Sequence, residues 1–147
     1  MIRAGDVREL RIVEGLTRTQ IVQYAGASSD YNPLHTDEVF ARDNAGLPTV
    51  FAHGMLTMGM TGRVLTEWFG ADQIVCCSAR FVAQVWPGDT LTAHAVVDAV
   101  EDRGEAEELT LTLQATNQHG QLVLSGTATV QRPPASVESG QGLENYV

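Results

Sequence analysis

Positive charge is scarce in this chain. Lys and Arg together number 9 against 18 Asp and Glu, a formal net charge of −9 over 147 residues. Binding to nucleic acid or to an anionic lipid surface rests on neutralising phosphates with Lys and Arg, so the composition argues against both unless basic residues cluster locally. Cysteine is almost missing: only Cys76 and Cys77 occur, side by side. Adjacent cysteines rarely bridge each other, and a metal site needs wider spacing and companion histidines. The pair reads as two reduced thiols alternating across a strand, which fits a cytoplasmic, reducing location. Long apolar runs are missing too. None reaches the ~18 residues of a membrane span, and the start, Met1-Ile2-Arg3-Ala4-Gly5-Asp6, lacks the apolar stretch of a signal peptide. There is no internal repeat or low-complexity tract, and no metal or cofactor is expected.

What is present describes a globular chain. Apolar residues make up 44% and charged residues 18%, which excludes a disordered chain and a coiled coil. The length corresponds to one domain, enough to bury roughly 68–70% of its unfolded surface. Residues 1–131 are expected to form that domain, and 132–147, rich in Pro, Gly and Ser, a surface arm.

Hydrophobic periodicity gives the element order. Val7 to Glu14 alternates as a half-buried strand. Thr17 and Gln20 form a capping box for a short helix that should fail near Gly26. Residues 27–35 (ASSDYNPLH) read as a polar loop with a proline stop. A second short helix follows, capped by Thr36 or Asp37 and closed by Gly46. The most apolar segment, Val50 to Phe69, predicts a buried helix from about His53 to Phe69. The period then changes to 2: strands are expected over Val75–Val85, Thr90–Val100, Glu107–Thr116 and Gln121–Val130, separated by turn clusters. The fold class is α+β, an antiparallel sheet wrapped around one long helix. Its exposed edge strands invite pairing with a second copy.

Chemistry concentrates in Asp30-Tyr31-Asn32-Pro33-Leu34-His35. On one continuous helix Asp30 and His35 would point about 140° apart, but Pro33 pushes Asn32 out of the helical region. The chain can then curl carboxylate and imidazole onto one face, a pairing suited to proton transfer. Asn32 can hold the loop by an Asx-type turn. A capping Asp and a turn His remain the plain alternative. A second candidate is Phe51-Ala52-His53-Gly54-Met55. If His53 and Gly54 open the buried helix, their unpaired N–H groups can stabilise negative charge on a carbonyl oxygen, and Gly54 lets a ligand approach the backbone. Here the alternative is tight packing at Gly54 and a capping or core role for His53. His94 and His119 read as surface residues, and the ligand spacing needed for a metal held by Asp30, His35 and His53 is not there.

At these residues the sequence resembles the MaoC-like dehydratases, relatives of the (R)-specific enoyl-CoA hydratases. YAGASSDYNPLHTD (24–37), FAHGMLTMGM (51–60) and ARFVAQVWPGDTL (79–91) carry the resemblance, which with the element order covers about residues 5–131. It implies the hot-dog fold, usually dimeric. It also implies reversible hydration of a trans-2-enoyl thioester, with Asp30 and His35 as the acid–base pair, Gly54 as the oxyanion glycine and Asn32 supporting the loop. The central-helix motif is particularly like β-hydroxyacyl-ACP dehydratase subunits, so the substrate carrier is expected to be CoA or ACP. The partner is expected to be a second copy or a related hot-dog subunit. Two departures stand out: Ser29 occupies the place of a frequent glycine, where it could narrow the pocket or add a hydroxyl, and the usual proline before the Trp86-Pro87-Gly88-Asp89 turn is shifted, the strand reading Ala83-Gln84-Val85-Trp86. His53 and Arg80 join Asn32 and Ser29 as candidate substrate-binding residues, with Arg63 also in view for an anionic carrier. Met55, Met58, Met60, Leu65 and Trp68 are candidates for closing an acyl tunnel, or are plain core. A hot-dog thioesterase and a non-catalytic acyl-binding subunit are the rival readings; the former has no need of an Asp–His pair, and the latter commonly lacks it.

Overall fold

Local sequence signals set where each element begins and ends in the computed structural model, which describes residues 2–134. Strand β1 covers Val7–Val13 and helix α1 Arg18–Ser28. The expected capping box starts α1: Thr17 Oγ1 accepts from Gln20 N at 3.1 Å and Gln20 Oε1 accepts from Thr17 N at 2.9 Å. The helix does not stop at Gly26. A mid-helix glycine costs only about 1 kcal/mol, and the Ser28 hydroxyl donates to Tyr24 O at 2.7 Å, so the break falls at Ser29, which takes the left-handed φ of 59°.

The stretch read as a loop contains a single helical turn, α2 (Pro33–Thr36), followed by α3 (Glu38–Asp43). Asn32 caps α2 through its side chain and Pro33 sits at its first position, where a missing N–H costs nothing. Asp37 caps α3, accepting from Phe40 N at 3.0 Å. Glu38 ties this region down: its carboxylate accepts from Arg18, Arg42 and Thr49, which joins α1, α3 and the segment before the central helix.

That helix, α4, spans Gly54–Phe69 with His53 at its N-cap. Its Val64, Leu65 and Phe69 are buried against Leu109, Leu111, Leu113 and Leu124 of the sheet. A 3-10 turn, Ala71–Gln73, leads into β2 (Ile74–Phe81), then β3 (Leu91–Asp102), β4 (Glu107–Thr116) and β5 (Leu122–Arg132). The strands pair antiparallel in the order β1-β3-β4-β5-β2, and α4 packs against all five. This is the expected hot-dog arrangement of a sheet wrapped around one helix.

The ends of β2 and β5 differ from the periodicity. β2 ends at Phe81 and not at Val85, because Val82 N and Ala83 N both turn to Val123 O. The released stretch is anchored by Ala52 N donating to Val85 O at 2.8 Å and by buried Asp89, whose carboxylate accepts from Trp86 N at 2.8 Å. β5 runs to Arg132, which is nearly buried and holds Glu107 with two donors to one carboxylate oxygen; the arm expected beyond it lies, from residue 135, outside the described residues. Cys76 is exposed and Cys77 half-buried, the expected alternation. β2 is an edge strand, and Val75, Phe81 and the following Val82 leave large apolar surface open there.

Candidate active site

The end of α1 aims the reactive loop. Ser29, in its left-handed conformation, reverses the chain, and the Ser28 hydroxyl accepts from Asp30 N at 3.3 Å. Asn32 N donates to the Asp30 carboxylate at 3.3 Å, and the Asn32 side chain accepts from Leu34 N at 3.0 Å. Two consecutive Asx turns therefore carry the chain from Asp30 into α2, which delivers His35. His35 is buried, while Asp30 stays exposed. The His35 Nδ1–H donates to Phe51 O at 2.7 Å, so its Nε2 carries the lone pair when the ring is neutral.

His53 completes the group. It stands at the N-cap of α4 but makes no capping bond with its side chain. The ring turns instead toward the loop, where Nε2–H donates to Asp30 O at 3.0 Å. Its face stacks on His35, centroids 3.8 Å apart and planes inclined by 28°, and Tyr24 lies against it at 4.9 Å. Asp30, His35 and His53 each bring one ligand-type atom within 4.8 Å of the others. These are the residues that could hold a metal, but the geometry suits proton transfer better. Stacked rings send their in-plane lone pairs side by side, where a metal needs them to converge.

Burial pushes the His35 pKa below its ordinary 6.5; the neighbouring His53 pushes the same way, while the bond to Phe51 O and the Asp30 carboxylate oppose it. Around neutral pH His35 is thus an uncharged acceptor next to an acidic side chain.

Gly54 opens the 16-residue α4, so its N–H has no intrahelical acceptor and lies at the positive end of the helix dipole. Two cavities meet at this glycine. One, of about 360 Å³, is lined by Tyr24, Ser28, Asp30, His53, Gly54, Met55 and Phe81. The other, of about 270 Å³, is lined by Phe51, Ala52, Gly54, Thr57, Phe81, Val82, Ala83, Gln84, Val85 and Val123.

The structure thus brings Asp30, Asn32, His35, His53 and Gly54 together, with Ser29 at the turn that places them. Arg80 lines neither cavity; it alternates with Phe81 along β2 and so faces the other side of the strand. Arg63 donates to Ile12 O at 3.2 Å and pairs with Glu67 at 2.7 Å, a structural ion pair. His94 lies beside Glu9 on the sheet and His119 in the β4–β5 turn. Of the tunnel candidates, Met55 lines the cavity that holds Asp30 and His53, Met60 a separate groove beside α1, and Leu65 is core; Met58 and Trp68 pack on the core from the side. Reading the sequence missed Tyr24, Phe51 and Phe81 as parts of the site. All three lie within the matched motifs, but what they touch is set by contacts distant in sequence.

Residues 3–119 match the family described as MaoC like domain, and the chain belongs to that family. It is 34% identical over 134 residues to an (R)-specific enoyl-CoA hydratase of Rhodospirillum rubrum, covering 87% of this chain and 90% of the relative. It is 38% identical over 126 residues to fatty acid synthase subunit beta of Aspergillus oryzae, covering 82% of this chain but only 6% of that much longer protein. Among solved structures, the (R)-hydratase from A. caviae involved in PHA biosynthesis superposes with a TM-score of 0.78 at 28% identity, covering 90% of this chain and 98% of that one. No helix among the described residues is long and apolar enough to cross a membrane.

Proposed function

We propose that this chain is a hydro-lyase that adds water reversibly across the double bond of a trans-2-enoyl thioester to give the (R)-3-hydroxyacyl thioester. The observation that carries this reading is the Asp30–His35–His53 group set beside the free N–H of Gly54.

Asp30 and neutral His35 hold one water between the carboxylate and Nε2. Asp30 takes a proton from that water as its oxygen bonds the β-carbon. The π electrons move onto the thioester carbonyl oxygen, where the Gly54 N–H and the dipole of α4 receive the charge. The α-carbon then takes back a proton from the Asp30–His35 pair on the same face, so both groups end as they began. Dehydration runs through the same groups in reverse. The thioester is carried by CoA or ACP. The chain works as a dimer, with itself or with a related hot-dog subunit, because β2 offers an edge that no strand among the described residues pairs, flanked by exposed Val75 and Val82.

Crotonyl-CoA tests the reading. Loss of enoyl-thioester absorbance without release of free thiol is expected. Thiol release indicates the thioesterase. No change with CoA or ACP substrates, alone or with a related subunit, overturns the catalytic reading in favour of an acyl-binding subunit.

A further inference from the structure

Among the described residues, only Gly54 and Phe81 line both cavities. They are also pressed together: a Cβ built on Gly54 would lie 2.8 Å from both Cδ2 and Cε2 of the Phe81 ring. The ring therefore rests on the Gly54 backbone and stands as the wall between the two spaces. On one side lie the ionisable Asp30 and His53; on the other no ionisable side chain lines the space, and Ala52, Val82, Val85 and Val123 stand beside the polar Thr57 and Gln84. The second space, of about 270 Å³, falls below the roughly 300–1,000 Å³ of ordinary ligand pockets and the first, of about 360 Å³, lies near the floor of that range; joined they sit well inside it.

Phe81 is the last residue of edge strand β2 and is 47% exposed. Just beyond it the chain leaves the sheet ladder, with Val82 N and Ala83 N turning to Val123 O, so the ring stands at the end of the strand and not in its interior. From this geometry we infer that Phe81 is the residue that sets acyl-chain specificity: its ring seals the second cavity from the reactive one, and turning it aside lets an alkyl tail pass Gly54 into that cavity. A short acyl group reacts with the ring in place, whereas a longer one requires the ring displaced. This deepens the enoyl-thioester reading and rests on it.

The test uses the full chain with Phe81→Ala, Phe81→Leu and Phe81→Trp, each checked for an unchanged thermal transition. kcat/KM is measured for crotonyl-, hexenoyl-, octenoyl- and decenoyl-CoA. A methylene gained or lost in an apolar pocket changes kcat/KM by about tenfold or more. The ratio of octenoyl to crotonyl kcat/KM is therefore expected to rise about tenfold in Phe81→Ala, less in Phe81→Leu, and to fall about tenfold in Phe81→Trp. If Phe81→Ala does not fold, the leucine and tryptophan variants carry the comparison. An unchanged ratio overturns the assignment. Calorimetric titration with saturated butyryl- and octanoyl-CoA separates this from the activity itself. If the wild type hydrates nothing, but its chain-length preference in binding moves with residue 81, the wall stands and the hydratase reading falls. Binding indifferent to residue 81, or no binding by either ligand, overturns the wall.

Discussion

A histidine packed face to face on another, away from water, is costly to charge. His35 is held below its ordinary pKa by burial first, with His53 adding to the effect. Hydration by the proposed route needs His35 neutral, so the acid limb of kcat/KM is expected below pH 6.5, the ordinary value. The sign for stability follows from the same shift. Between the folded and the ordinary pKa the unfolded chain binds more protons, so this histidine lowers stability as pH falls through 6.5 and contributes nothing above it. Asp30→Asn and His35→Ala should each lower kcat by about 10²–10⁴ with an unchanged thermal transition for Asp30→Asn, since that side chain is exposed. Of these residues, Asp30 and His35 were legible because Pro33 forbids the helix that would separate them. The stacking of His53 was not: it depends on where the N-terminus of α4 lands, which sheet packing decides, and no local pattern encodes it.

At the scale of elements, the caps were the readable part. Thr17, Asp37 and Gly46 act where their side chains or backbone preferences require. β4 was legible to the residue, and the strand ending at Phe81 was not, since Val123 O, forty residues on, takes the hydrogen bonds that end it. Asn32→Ala removes the cap that delivers His35. It is expected to cost about 0.5–2 kcal/mol in denaturant unfolding and to reduce kcat more than it raises KM, because the bound substrate does not need α2 until the proton moves. Gly126 in β5 faces Ala79 of β2 so closely that a Cβ would meet Ser78 O and lie 3.0 Å from the Ala79 Cα. Both obstacles are backbone and cannot swing away. Gly126→Ala should therefore destabilise by about 3 kcal/mol or more, read as a shifted denaturation midpoint.

For the molecule as a whole, charge and edge matter most. Arg18 and Arg42 are tied to Glu38, Arg63 to Glu67, Arg103 to Glu101 and Glu108, and Arg132 to Glu107. Among the described residues no arginine lines either cavity, so the cavities themselves offer an anionic carrier no cation. A chain of net charge −9 then repels CoA phosphates, and added salt screens that repulsion. KM for an acyl-CoA should fall as ionic strength rises from low salt, the reverse of the usual response. Light scattering should give twice the chain mass, and Val75→Asp at the β2 edge should lower it to that of a single chain. The strand that bears this open edge also ends in the ring that walls off the second cavity. Whatever lies against β2 leans on that wall. Substrate choice then becomes partly a property of the company the chain keeps: exchanging one partner subunit for another could retune which tails are accepted while leaving every reacting group untouched.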